Sequence, residues 1–144
     1  MVNQKLDAID LGLMTRESKG SIVIVEDDPA MNLALRRFLT AVGFKTIAFD
    51  SAEDLLEHPA PAASAVCLIL DIHLTGISGF ELQKRLHQWG AIPPTIFITA
   101  DENTSFDNGQ LPAAACLRKP FSGKRLLAAI REALDRVNEE AKRL

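Results

Sequence analysis

Two cysteines in 144 residues are too few and too isolated for a zinc site. Cys67 and Cys116 each lie inside an apolar run, so both read as reduced core thiols rather than a disulfide pair. No lysine- and arginine-rich run occurs and the formal net charge is −3, which argues against nucleic acid held by the overall field of the chain. No apolar stretch approaches the roughly 20 residues that cross a bilayer, and the N-terminus lacks the basic-then-apolar pattern of a secretory signal. These absences point to a cytoplasmic protein with neither a nucleic-acid nor a membrane partner. Tyrosine is missing altogether, so no position of the fold carries a phenol.

Hydrophobic residues make up 47% of the chain and charged residues 24%, the balance of one globular domain with a sizeable core. Residues 1–20 differ in character. Leu6, Ile9 and Leu13 could form a short helical stripe, but Gly12 weakens it and the stretch ends in linker-like Arg16–Gly20. Residues 1–20 therefore read as a flexible extension, and 21–144 as the domain.

From Ser21 onward, strand and helix signals alternate. Ile22–Val25 is a continuous apolar run of the buried-strand type. Pro29 suits the first turn of a helix, apolar residues from Met31 to Val42 recur at helical spacing, and Gly43 is a natural stop. Lys45–Phe49 alternates like a strand. Ser51 and Asp54 spell a capping box for a helix ended by Pro59 and Pro61. Ala65–Leu70 reads as the central strand, 71–78 as a loop and Gly79–Trp89 as an amphipathic helix. Thr95–Thr99 and Cys116–Arg118 are further strands, and Ser122 caps a long last helix. Five strands alternating with helices imply a doubly wound, five-stranded parallel α/β sheet with helices on both faces. The expected order is the flavodoxin-like 2-1-3-4-5. The helix between the fourth and fifth strands is expected to be short or irregular, because 101–115 has poor periodicity.

Chemistry gathers at the strand ends. The first strand runs into Glu26, Asp27 and Asp28, although like charges about 4 Å apart repel by roughly 4 kcal/mol at an effective dielectric near 20. The third is followed by Asp71, the fourth ends in Thr99 and the fifth precedes Lys119. In the expected order the first and third strands are neighbours, so Asp27 and Asp71 face one crevice with Thr99 and Lys119 on its other side. Carboxylates so gathered suit Mg²⁺, a hard dication that takes oxygen ligands and phosphate oxygens together. Asp28 more plainly starts the following helix. His58 and His87 read as surface residues.

The stretches "IVIVEDDP", "LILDIHLTGISGFEL", "IFITA" and "LRKPF", at suitable spacings, resemble the receiver domain of two-component response regulators, from about Ser21 to Glu140. The resemblance implies phosphoryl transfer from a sensor histidine kinase or a histidine phosphotransfer protein to Asp71. It also implies Mg²⁺ held directly by Asp27, Asp71 and the backbone carbonyl of His73, with Glu26 acting through water. Lys119 and Thr99 would meet the phosphoryl oxygens. The protein would then be no enzyme beyond self-phosphorylation and self-dephosphorylation, and would switch binding to an unknown downstream protein. Taken as full length, it would be a stand-alone receiver.

Three departures from the family pattern stand out. Leu74-Thr75 replaces a frequent Met-Pro pair, which should loosen that loop with little effect on chemistry. The interval from Thr99 to Lys119 is slightly short. Cys116 occupies a position usually held by Tyr or Phe, which questions the coupled Thr–aromatic switch. Two other readings stay open. "LILDIHLT" resembles the first motif of haloacid-dehalogenase-type phosphatases, though His73 stands where their second Asp belongs. A pseudo-receiver, a binding module that never accepts phosphate, is the other.

Overall fold

A computed structural model describes residues 18–103 and 113–143. Most of the expected flexible extension over 1–20, and most of the 101–115 segment expected to hold a short or irregular helix, fall outside those residues. The elements are β1 (Ser21–Val25), α1 (Pro29–Ala41), β2 (Lys45–Phe49), α2 (Ala52–Glu57), α3 (Ala60–Ser64), β3 (Cys67–Asp71), α4 (Gly79–His87), β4 (Thr95–Thr99), β5 (Ala115–Arg118) and α5 (Gly123–Lys142). The five strands form one sheet in the order β2-β1-β3-β4-β5, and every pairing is parallel.

The pleat divides the core. Alternate strand residues point to opposite faces, so Ile22, Ile24, Ile69 and Ile98 pack with Leu39 and Ile130 of α1 and α5. Val23, Val25, Leu68 and Leu70 pack on the other face with Leu55 and Leu82 of α2 and α4. Strands covered on both sides have no polar face to show, which is why β1, β3 and β4 spell unbroken apolar runs.

Element ends follow local chemistry. Gly43 closes α1 at φ +108°, a conformation that costs glycine little. The hydroxyls of Ser51, Ser78 and Ser122 accept the Asp54, Glu81 and Arg125 amides and cap α2, α4 and α5, each satisfying an otherwise orphaned donor. Asp28 is the N-cap residue of α1 but makes no side-chain cap bond. Pro59 and Pro61 do more than stop α2: they stand at the start of the short helix α3, where a missing N–H costs nothing. Strand β3 is displaced along the chain from the expected Ala65–Leu70 and includes Asp71 itself. Trp89, read as part of the apolar face of its helix, is 62% exposed, because α4 stops at His87. Cys67 is buried and Cys116 only half-buried. Burial pushes the Cys67 thiol up to about 12 and raises that of Cys116 as well, so both are poor nucleophiles.

Candidate functional site

Sheet register alone brings the site residues abreast. Val25 pairs with Leu70, so the next residues, Glu26 and Asp71, lie side by side at the carboxyl edge. Asp71 pairs with Ile98 and Thr99 with Arg118, which places Thr99 one step and Lys119 two steps further along the same edge. The reversal of strand order between β1 and β3 opens the crevice there, as in other doubly wound sheets.

On the floor of the crevice, Glu26 is fully buried and Asp71 is 5% exposed. The Lys119 ammonium joins them, 2.6 Å from Glu26 Oε1 and 3.1 Å from Asp71 Oδ2. The Lys119 amide donates to the Thr99 carbonyl at 2.7 Å, tying the lysine backbone to the end of β4. Burial raises the Glu26 carboxyl to about 7; Lys119 opposes that rise and Asp71 adds to it. Burial alone would lower the Lys119 ammonium, but its bond to Glu26 and the charge of Asp71 outweigh that and hold it above its usual range. One cation therefore faces two buried acids, with a third acid at the mouth.

Asp27 is that third acid, half-buried at the mouth. One oxygen each from Glu26, Asp27 and Asp71 can be chosen so that all lie within 4.8 Å of one another. That spread is close to the diameter of an octahedral Mg²⁺ shell, about 4.2 Å across. Hard carboxylate oxygens in excess of nearby positive charge form a donor set that fits Mg²⁺, and burial that drives Glu26 to keep its proton is a cost a dication removes.

Thr99 is fully buried; its hydroxyl accepts the Asp101 amide at 3.0 Å, which leaves its own proton for donation. The His73 amide donates to Asp71 Oδ1 at 2.9 Å, and its exposed ring stands 3.6 Å from Asp101. All six expected site residues thus line one edge of the sheet, with His73 turned outward.

Four participants escaped sequence reasoning. Asn32 of α1 is buried, and its side-chain amide donates to the carbonyls of Glu26 and Phe49 at 3.0 and 3.2 Å. Arg36 donates to its oxygen at 2.9 Å, which fixes the orientation of the amide. Glu53 accepts the Ile77 amide at 3.2 Å. Thr75 donates both its amide and its hydroxyl to Asp27 Oδ2, each at 3.2 Å. The loop expected to be loosened by losing proline is instead tied down, because threonine has the two donors that proline lacks. The polar residue inside the apolar stripe of α1 was the available signal for Asn32; no local pattern marks Thr75 or Glu53.

Comparison with known proteins agrees with this geometry. The family described as Response regulator receiver domain matches residues 22–131. Nodulation protein W of Bradyrhizobium diazoefficiens is 34% identical over 130 residues, 88% of this chain and 57% of that protein. Transcriptional regulatory protein FixJ of the same organism is 32% identical over 127 residues, 87% of this chain and 62% of that protein. Among solved structures, full-length FixJ from B. japonicum has a TM-score of 0.77 at 30% identity, covering 87% of this chain and 62% of that one. A response regulator receiver protein from Burkholderia phymatum has a TM-score of 0.70 at 33% identity, covering 81% of this chain and 96% of that one. The chain spans about three-fifths of the two curated relatives. Among the described residues, no helix is long and apolar enough to cross a membrane.

Proposed function

The chain belongs to the response regulator receiver domain family, and on that footing we propose that it is a cytoplasmic phosphoryl-accepting switch modified on Asp71. The family implies a histidine kinase as donor, directly or through a histidine phosphotransfer protein, and is in general non-catalytic apart from self-phosphorylation. The observation that carries the proposal is the buried Asp71 carboxylate held at the end of β3 by the Lys119 ammonium and the His73 amide, with Glu26 and Asp27 beside it.

Asp71 is the nucleophile: one carboxylate oxygen forms the bond to phosphorus as the bond from phosphorus to the donor imidazole nitrogen breaks, and the imidazole leaves with that electron pair. Asp27, Asp71 and the His73 carbonyl would hold Mg²⁺, with Glu26 acting through water, and the ion would supply positive charge for the phosphoryl oxygens. The protein does the rest by positioning. Lys119 moves from carboxylates to phosphoryl oxygens without leaving the floor, and the Thr99 hydroxyl donates to them. Modification then changes binding to a downstream protein. Lys119 in contact with the acceptor favours this reading over a pseudo-receiver, and the acids that precede Asp71 in the chain favour it over a phosphatase.

Mass spectrometry after incubation with acetyl phosphate and Mg²⁺ tests it. One added phosphoryl group is expected, lost on omission of Mg²⁺ and in Asp71→Asn. An unmodified wild-type chain overturns the proposal, while rapid turnover of p-nitrophenyl phosphate that depends on Asp71 points to the phosphatase instead.

A further inference from the structure

The loop between β3 and α4 is held at alternate amides by three carboxylates. His73 donates to Asp71 Oδ1, Thr75 to Asp27 Oδ2 and Ile77 to Glu53 Oε2. Gly76, at φ +87°, lets the chain turn between the last two. The loop is thus fixed on one side by β3, on the other by α2 and the Ser78 cap, and Thr75 is delivered in the middle with two donors aimed at one oxygen. Asp27 is also fixed from behind, because Asn32 holds the carbonyl of the preceding residue, Glu26.

We propose that Thr75 is a positioning residue that sets the Asp27 carboxylate for the cation. Both Thr75 bonds end on Oδ2 at 3.2 Å, each toward the long end of the range. Together they restrict rotation of the carboxylate and leave Oδ1 available as ligand. Partners of this kind around a ligating group typically change metal affinity by 10- to 100-fold. The proposal rests on the reading of Glu26, Asp27 and Asp71 as a Mg²⁺ site; it adds a group outside the acidic triad that decides how tightly the site holds the ion. A merely structural tie would affect the stability of the loop and leave the affinity of the folded protein alone.

Calorimetric titration of the metal-free chain with Mg²⁺ separates the two, using wild type, Thr75→Ser and Thr75→Val. Thr75→Ser keeps both donors and is expected within about twofold of wild type. Thr75→Val keeps the amide but loses the hydroxyl, and is expected to weaken Mg²⁺ about tenfold, at the low end of such outer-shell effects. Amide exchange in the metal-free proteins gives a second readout: Thr75 N–H protection should fall in Thr75→Val and hold in Thr75→Ser. Equal or tighter binding by Thr75→Val, or equal weakening in both variants, overturns the positioning role. Absence of Mg²⁺ binding in wild type overturns the metal reading itself and the role with it.

Discussion

Glu26 and Asp71 on the floor of the crevice are buried and share the Lys119 ammonium. Asp27, His73 and Asp101 at its mouth stand partly in water, held by the neutral donors of Thr75 or by a long His–Asp contact. Opposite charges on the floor interact at low dielectric and cannot be removed singly without leaving a buried charge behind. Contacts at the mouth are screened, so their loss costs the fold little. The floor therefore belongs to stability and chemistry at once, whereas the mouth can tune cation affinity and access with small effects on folding.

Lys119→Met is the strongest way to break that contrast. It strands two buried acids, and we expect a loss of about 2–3 kcal/mol in urea unfolding, somewhat under the usual cost of breaking a buried pair because Glu26 can take up a proton. Mg²⁺ should restore much of it; an unchanged urea midpoint would show that the floor is not electrostatically stressed. Gly79→Ala comes next. A Cβ there would collide with the Asp71 carbonyl at the start of α4, so the helix must back away from the acceptor strand. The expected cost is about 2 kcal/mol, in the range of overpacking, together with slower labelling of Asp71 by acetyl phosphate.

Acidity sharpens the comparison. The folded Glu26 carboxyl titrates near 7 against an ordinary value of 4.5, so between those values the folded protein binds more protons than the unfolded chain. Its contribution to stability is present below pH 4.5 and is lost as pH rises through 7. Urea midpoints of the metal-free protein should carry this downward component from pH 5 to 7.5, and Glu26→Gln should flatten it. The smallest effect is expected at the mouth: Asp101→Asn removes the charge facing His73, whose side chain is 53% exposed, while its Oδ1 can still accept the Asn103 amide, and should change stability by under about 0.5 kcal/mol. A shift of several degrees in Tm would mean that the mouth bears more of the fold than its exposure allows.

Much of the architecture is legible in the linear chain. Ile22–Val25 and Thr95–Thr99 announce buried parallel strands because both of their faces must be apolar. Ser51 and Ser122 announce helix starts because a hydroxyl can satisfy an amide that the helix leaves open, and Ser78, read only as the end of a loop, caps α4 for the same reason. Trp89 misled because its spacing matched the apolar face of α4, while the helix ends before reaching it. Pro59 and Pro61 marked the end of α2 correctly but hid the start of α3, because the same missing N–H that stops one helix is harmless at the start of another. Thr75 was read through the proline it replaces, as a loss of stiffness, although its two donors matter more.

From sequence alone it was settled that acids, a threonine and a lysine would follow successive strands, since the apolar runs set the strands and parallel order sets their ends on one edge. Which acid lies on the floor and which at the mouth was decided by tertiary structure. Glu26 and Asp27 are adjacent in the chain and alike in chemistry, yet the pleat turns one inward to a lysine 93 residues away and the other outward to a threonine 48 residues away. Those pairings require the closed sheet, because only it brings such distant residues within hydrogen-bond reach.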